Sequence, residues 1–208
     1  MIIAGDGASH GTHAKEHGAT LTIDLRALQD NWHLLSARTP KAETAAVVKA
    51  NAYGIGIEAA VPALAMAGCR TFFVAHLSEA RRVRAVAPDA VIYVLNGLPS
   101  GSTSAYLAIN ARPVIGSADD AHQWMAEGGG QPCAIHVDTG MNRLGFDMDE
   151  AEQLGERAFF KALDVTLVMS HFTSSEVASD PANAAQIALE VEAPRMVQTG
   201  QAATFSRT

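Results

Sequence analysis

The chain has 208 residues, with 15 Lys and Arg against 22 Asp and Glu and a formal net charge of −7, long enough for one sizeable core and lacking the basic footprint of a nucleic-acid binder. No apolar run is long enough to span a bilayer, and residues 1–20 carry no apolar signal segment, so a cytoplasmic protein without a membrane partner is expected. Cys69 and Cys133 lack CxxC spacing and read as reduced core residues rather than as a disulfide or a zinc site.

Residues 1–18 mix glycine, histidine and charge. They are expected to form a flexible polar tail, in which His10, His13 and His17 lack the neighbours of a closed metal shell. One domain is expected from residue 19 to residue 208. Residues 21–25 alternate as a short strand, and Leu25, Leu28, Trp32 and Leu35 follow at helical spacing behind Asp24, a capping residue type. A strand then delivers Lys49 to its end, and a helix through Ala60 and Leu64 stops at Gly68. Next come strand 71–75, a helix opened by residues 78–80, and strand 91–95. Arg81, Arg82 and Arg84 read as the solvated face of that helix. A weaker helix over 104–109, strand 112–115, a helix from Ser117 through Trp124 and strand 133–137 continue the alternation. A helix over 149–163, strand 165–169, a helix over 181–191 and the start of a strand at 202–205 complete it.

Apolar runs that recur roughly every 20 to 30 residues with helices between them describe a parallel sheet with covered faces. An open doubly wound sheet and a closed (β/α)8 barrel both fit. Neither GxGxxG nor GxxxxGK[ST] follows the first strand, and ionisable residues stand at several strand ends, which favours the barrel.

Three clusters directly follow apolar strands: Lys49 with Tyr53, residues 138–143, and residues 170–173. In a parallel barrel these ends meet on one face. A strand-end lysine is partly desolvated and available as a nucleophile or base, although many such lysines simply reach for solvent. Arg143 reads either as a donor to an anionic oxygen or as the structural partner of a carboxylate such as Asp138. His171 fits a site or a hydrogen-bonded core position, and Tyr53 fits a phosphate ligand or a plain surface tyrosine.

Longer strings narrow these alternatives. Residues 47–54, Val-Val-Lys-Ala-Asn-Ala-Tyr-Gly, closely resemble the pyridoxal-phosphate lysine motif of the alanine racemase family, and residues 136–146, His-Val-Asp-Thr-Gly-Met-Asn-Arg-Leu-Gly-Phe, resemble its second hallmark. Shorter matches at residues 73–80, 170–172 and 183–186 extend the resemblance over residues 19–189. It implies a pyridoxal 5'-phosphate enzyme of fold-type III that interconverts L- and D-alanine for peptidoglycan. Lys49 would hold the cofactor as an imine and then act as the base on one face of the substrate Cα. Tyr53 would reach the cofactor phosphate. Arg143 would donate to the phenolic oxygen of the ring and contact the substrate, and His171 would lie beside the ring. A base is needed on each face, with the cofactor as the electron sink.

The chain also departs from the family pattern. Ile55 replaces a usual histidine, and His136 stands where many members carry a carbamylated lysine that orients the arginine, so a bound chloride or a neutral His136 would hold Arg143 instead. The resemblance implies an α/β, parallel (β/α)8 TIM-type barrel that is incomplete, with its last strand and the β-rich C-terminal domain missing. The second base, a tyrosine from the partner subunit of a homodimer, would be missing too. The expectation is therefore a fragment with unpaired sheet edges. The other readings are a racemase of serine or lysine, a non-enzymatic pyridoxal-phosphate homeostasis protein, and an inert fragment.

Overall fold

Seven apolar runs form one parallel sheet in the computed structural model, which describes residues 21–197 and the strand backbone at 204–207. The strands are β1 (Ala46–Val47), β2 (Thr71–Val74), β3 (Val91–Val94), β4 (Arg112–Ile115), β5 (Pro132–His136), β6 (Asp164–Ser170) and β7 (Thr204–Arg207). Each pairs in parallel with the next in sequence. A doubly wound sheet reverses its strand order part-way, whereas a barrel does not. The sequential order therefore decides for the barrel, and it stays open among the described residues because β1 and β7 end the order unpaired with each other.

Two separate cores show how the strands are used. Phe72, Val74, Ile92, Val94, Ile115, Ile135 and Val168 point outward and pack with the helices. Phe73, Tyr93, Val114, Ala134, Leu167 and Met169 fill the concave interior, where the Phe73 and Tyr93 rings stack at 5.1 Å. Alternation along each strand separates the two sets, because successive side chains leave a strand on opposite faces. One exception matters. Between Cys133 and Ala134 the register shifts, so that Cys133 opposes Val165 and Ala134 opposes Leu167. Thr166 is the extra residue, and its hydroxyl hydrogen-bonds with Tyr93 (3.0 Å) and donates to the Cys133 carbonyl (3.2 Å). Such a bulge re-phases every side chain beyond it.

The helices cover the outside. They are α1 (Leu25–Arg38), α2 (Lys49–Tyr53), α3 (Ile57–Ala67), α4 (Leu77–Val86), α5 (Thr103–Leu107), α6 (Ala118–Glu127), α7 (Met148–Glu156) and α8 (Pro181–Val197). Asp24 caps α1 by accepting from the amides of Arg26 (2.9 Å) and Ala27 (3.0 Å). The strand expected over residues 21–25 does not form: the capping carboxylate draws Leu25 into the helix, and Leu21 is 61% exposed. Of the apolar face expected on α1, Leu28 and Trp32 pack on the core while Leu35 stays exposed. Gly68 ends α3 with φ 112, a left-handed cap that glycine adopts at least cost.

The helix expected over residues 149–163 breaks instead at Glu156 and resumes as a 3₁₀ turn, Phe159–Ala162. Two adjacent aromatics must reach different partners, Phe160 the Phe146 ring at 5.5 Å and Phe159 the His122 ring at 5.2 Å. α8 runs on past the expected residue 191, because Ala193 and Val197 add buried contacts. Arg81 is exposed, in keeping with the solvated face expected of α4, whereas Arg82 and Arg84 are held by partners. Arg82 grips Glu58, and Arg84 donates to the carbonyls of Ile109 (2.9 Å), Pro88 (2.6 Å), Ala90 (2.8 Å) and Asn110 (3.0 Å). Cys69 and Cys133 are free, buried thiols, as read from the sequence. Residues 1–18, with His10, His13 and His17, lie outside the described residues.

Candidate active site

The inward phase of β1, β2, β3, β5 and β6, carried to or just past their C-terminal ends, produces the site. Val47 leads to Lys49, Phe73 to Ala75, Tyr93 to Leu95, Ala134 to His136 and Met169 to His171. All of these C-terminal positions line one cavity of about 430 Å³, together with Tyr53, Asn96, Arg143 and Leu144. Lys49, Tyr53, Arg143 and His171, dispersed over more than half of the chain, are thus brought to a single concave face. The bulge at Thr166 is what turns His171 inward. Ser170 is turned outward instead, and its hydroxyl hydrogen-bonds with Thr139 at 2.7 Å.

Lys49 opens the segment α2, which is left-handed. Ala50, Asn51 and Ala52 have φ between 52 and 56 and ψ of 46 or 47, and Tyr53 has φ 52. Four consecutive non-glycine residues in this region each cost roughly 1–2 kcal/mol, so the surroundings must hold them. The Ala52 amide donates to Val48 O at 2.8 Å, and the Gly54 amide donates to Ala50 O at 3.2 Å. Asn51 Oδ1 accepts from the Ile57 amide (3.2 Å) and from Arg82 Nη2 (2.6 Å). The turn leaves Lys49 half-buried at the cavity wall and Tyr53 66% exposed at its rim.

Arg143 lies on the loop that follows β5. Phe146 returns beside Val137 in a parallel bridge, its amide donating to His136 O (2.9 Å) and its carbonyl accepting from the Asp138 amide (2.7 Å). That closure needs glycine at 145, where φ is 108 and a Cβ would stand 3.0 Å from His136 O and from Asp138 N. The Asp138 carboxylate caps the Gly140 amide at 2.8 Å, and no ion pair joins it to Arg143. The structural reading of Arg143 as the partner of Asp138 is set aside by this geometry. Gln186, buried on α8, braces the other side: Oε1 accepts from the Thr173 amide (2.9 Å) and Nε2 donates to His171 O (3.0 Å).

Two cations and no carboxylate face the cavity, although the chain is net acidic. Burial, then the charges of Arg143 and Lys49, hold His171 below its ordinary pKa. His136 is 7% exposed and its Nε2 has no hydrogen-bond partner. Burial pushes its pKa down to about 4, with His171 and Arg143 adding to the effect and Asp138 opposing it. Both imidazoles are therefore neutral near neutral pH. No cluster of His, Cys, Asp or Glu among the described residues could hold a metal ion. An open, acidic concavity at the start of α7, lined by Asp147, Asp149 and Glu150, offers no such set of donors.

Residues 23–203 match the family model of the alanine racemase N-terminal domain. The chain belongs to that family. The alanine racemase of Methylobacterium sp. (strain 4-46) is 54% identical over 181 residues, covering 85% of this chain and 50% of that protein. The enzyme of Methylobacterium nodulans is 55% identical over 181 residues, with 85% and 49% covered. A crystal structure of alanine racemase from Bartonella henselae with covalently bound pyridoxal phosphate superposes with a TM-score of 0.82 at 34% identity, covering 89% of this chain and 55% of that one. The chain spans about half the length of the curated relatives it matches. No helix among the described residues is long and apolar enough to cross a membrane.

Parts of the site escaped the sequence reading as working residues. Glu79 and Gln186 appear there only inside matching strings. Glu79 sits three residues after the N-cap of α4, a pattern that signals a capping box. Gln186 carries no sequence signal for the bonds it makes to Thr173 and His171.

Proposed function

We propose that this chain is the cofactor-binding half of an alanine racemase, and that its cavity takes pyridoxal 5'-phosphate. The single observation that carries the reading is the cavity wall: an amine, a guanidinium, a phenol and two imidazoles face one space, with no carboxylate among them. Such a wall suits a planar ligand that is anionic at its phosphate and phenolic oxygen, and about 430 Å³ is within the usual range for a cofactor site. The unpartnered Nε2 of His136 leaves a polar contact to be completed from the same space.

Lys49 Nζ would hold the aldehyde carbon, Tyr53 the phosphate and Arg143 the phenolic oxygen and the substrate carboxylate, with His171 along the ring. The cofactor, when bound, supplies the electron sink that lets a proton leave the substrate Cα. Once the substrate amine has displaced it from the aldehyde carbon, the freed Lys49 Nζ would take or return that proton on its own face. Neutral His136 and His171 add no positive charge beside Lys49 and Arg143. Val47, Leu95 and Met169 keep the floor apolar and exclude water from it. We take residues 19–208 as the barrel domain of a cytoplasmic homodimer, in which a partner subunit's tyrosine supplies the proton on the opposite face and the D-alanine serves peptidoglycan. No observation here favours serine or lysine as substrate.

Absorption spectroscopy tests the reading. Pyridoxal phosphate added to the chain is expected to give a visible band that Lys49→Ala abolishes, and absence of any Lys49-dependent band overturns the proposal.

A further inference from the structure

The left-handed turn that carries Lys49 and Tyr53 is tied to the rest of the barrel by a carboxylate outside the cavity wall. Glu79, half-buried in the first turn of α4, accepts through Oε1 from the Asn51 amide at 3.1 Å. Its Oε2 accepts from the amides of Ala75 (2.9 Å) and His76 (3.2 Å). One side chain thereby joins the middle of the turn after β1 to the residues that follow β2. Asn51 is gripped from its other end as well, since Arg82 Nη2 donates to its Oδ1 (2.6 Å) while Arg82 pairs with Glu58 through Nε (2.7 Å) and Nη2 (2.6 Å). Glu58 stands on α3 and Arg82 on α4, so two helices converge on a single residue in a backbone region that asparagine tolerates and most residues avoid.

We infer that Glu79 is a positioning residue that acts through Asn51: its two oxygens lock the left-handed turn to the end of β2 and so set Lys49 and Tyr53 at the spacing that the aldehyde and phosphate of one cofactor demand. The inference rests on the proposed pyridoxal-phosphate site. Its chemistry differs from that of a helix cap. A capping box needs a single acceptor for the N-cap amide, and glutamine serves as well as glutamate. The clamp needs both oxygens as acceptors, and glutamine would turn an NH₂ donor toward a donor, either at the Asn51 amide or at the Ala75 and His76 amides. The conservative substitution therefore separates the two roles.

The experiment compares the whole chain with Glu79→Gln by amide hydrogen exchange without cofactor, by pyridoxal-phosphate titration of the Lys49-dependent band, and by thermal denaturation. Exchange at Asn51 is expected to speed up about tenfold or more, as for loss of one bond to a charged acceptor. Amides in β4–β6 keep their protection, the cofactor dissociation constant rises about tenfold, and the band at saturation is unchanged. Wild-type exchange at Asn51, or faster exchange with unaltered cofactor affinity, overturns the inference. So does a uniform loss of protection across the sheet, which would make Glu79 a general stabiliser. If the unsubstituted chain forms no Lys49-dependent band, the proposed function falls, and exchange at Asn51 alone then decides whether Glu79 holds the turn.

Discussion

Acid should destabilise this fold through His136, and the amount follows from its burial. The imidazole is 7% exposed, and its pKa is pushed from 6.5 down to about 4. The unfolded chain therefore binds a proton in a range where the native chain stays neutral. His136 contributes full stability above about pH 6.5, and the contribution is lost progressively as pH falls through about 4. At about 1.4 kcal/mol for each pH unit, the displacement from 6.5 to about 4 bounds the effect at about 3 kcal/mol. About 2 kcal/mol of it disappears between roughly pH 7 and pH 5. His171, also held below its ordinary pKa, acts in the same direction. Urea denaturation followed by tryptophan fluorescence, at both pH values, compares the chain with His136→Leu. The substitution removes an unpartnered buried nitrogen, so stability near pH 7 is expected to hold or rise. The variant should lose about 2 kcal/mol less on acidification. Equal losses in the two proteins would refute the reasoning, because every other titrating group is common to both.

Gly155→Ala tests the contact of α7 with α8. An added Cβ would lie 1.7 Å from Met196 O, so the helices must part, and thermal denaturation should show a loss of about 3 kcal/mol. An unchanged midpoint would mean that the helices are not in such contact. Tyr53→Phe tests the phosphate assignment. The ring is 66% exposed, so stability should stay within about 0.5 kcal/mol while titration shows pyridoxal-phosphate affinity about tenfold weaker. Unchanged affinity would remove Tyr53 from that role.

Most strands and helices were legible because their signals are local. Asp24, Gly68 and Ser117 mark helix ends with groups that satisfy terminal amides or adopt left-handed backbone. The errors came where a distant partner overrode a local pattern. Residues 21–25 alternate like a strand yet find no partner strand, and Phe159 and Phe160 fit a helix until Phe146 and His122 pull them apart. Arg84 looked solvated because the four carbonyls that hold it come from two loops more than three residues away.

The candidate site divides in the same way. By itself the sequence determined that Lys49, the 138–143 loop and His171 follow apolar strands, and that two long strings resemble one family. Chemical identity and short spacing are stored in the order of residues, and parallel strands must bring their C-terminal ends to one face. Only the tertiary structure decided which side chains enter the cavity. The extra residue at Thr166 sets the phase of β6, turning His171 in and Ser170 out. Glu79, Asn51 and Arg82 hold four left-handed residues behind Lys49, a conformation that no local propensity favours. Burial among β5, β6 and the Gly145 turn makes His136 neutral. Each of these depends on contacts between segments far apart in the chain, where the cost of strain or desolvation is set by the neighbours rather than by the residue.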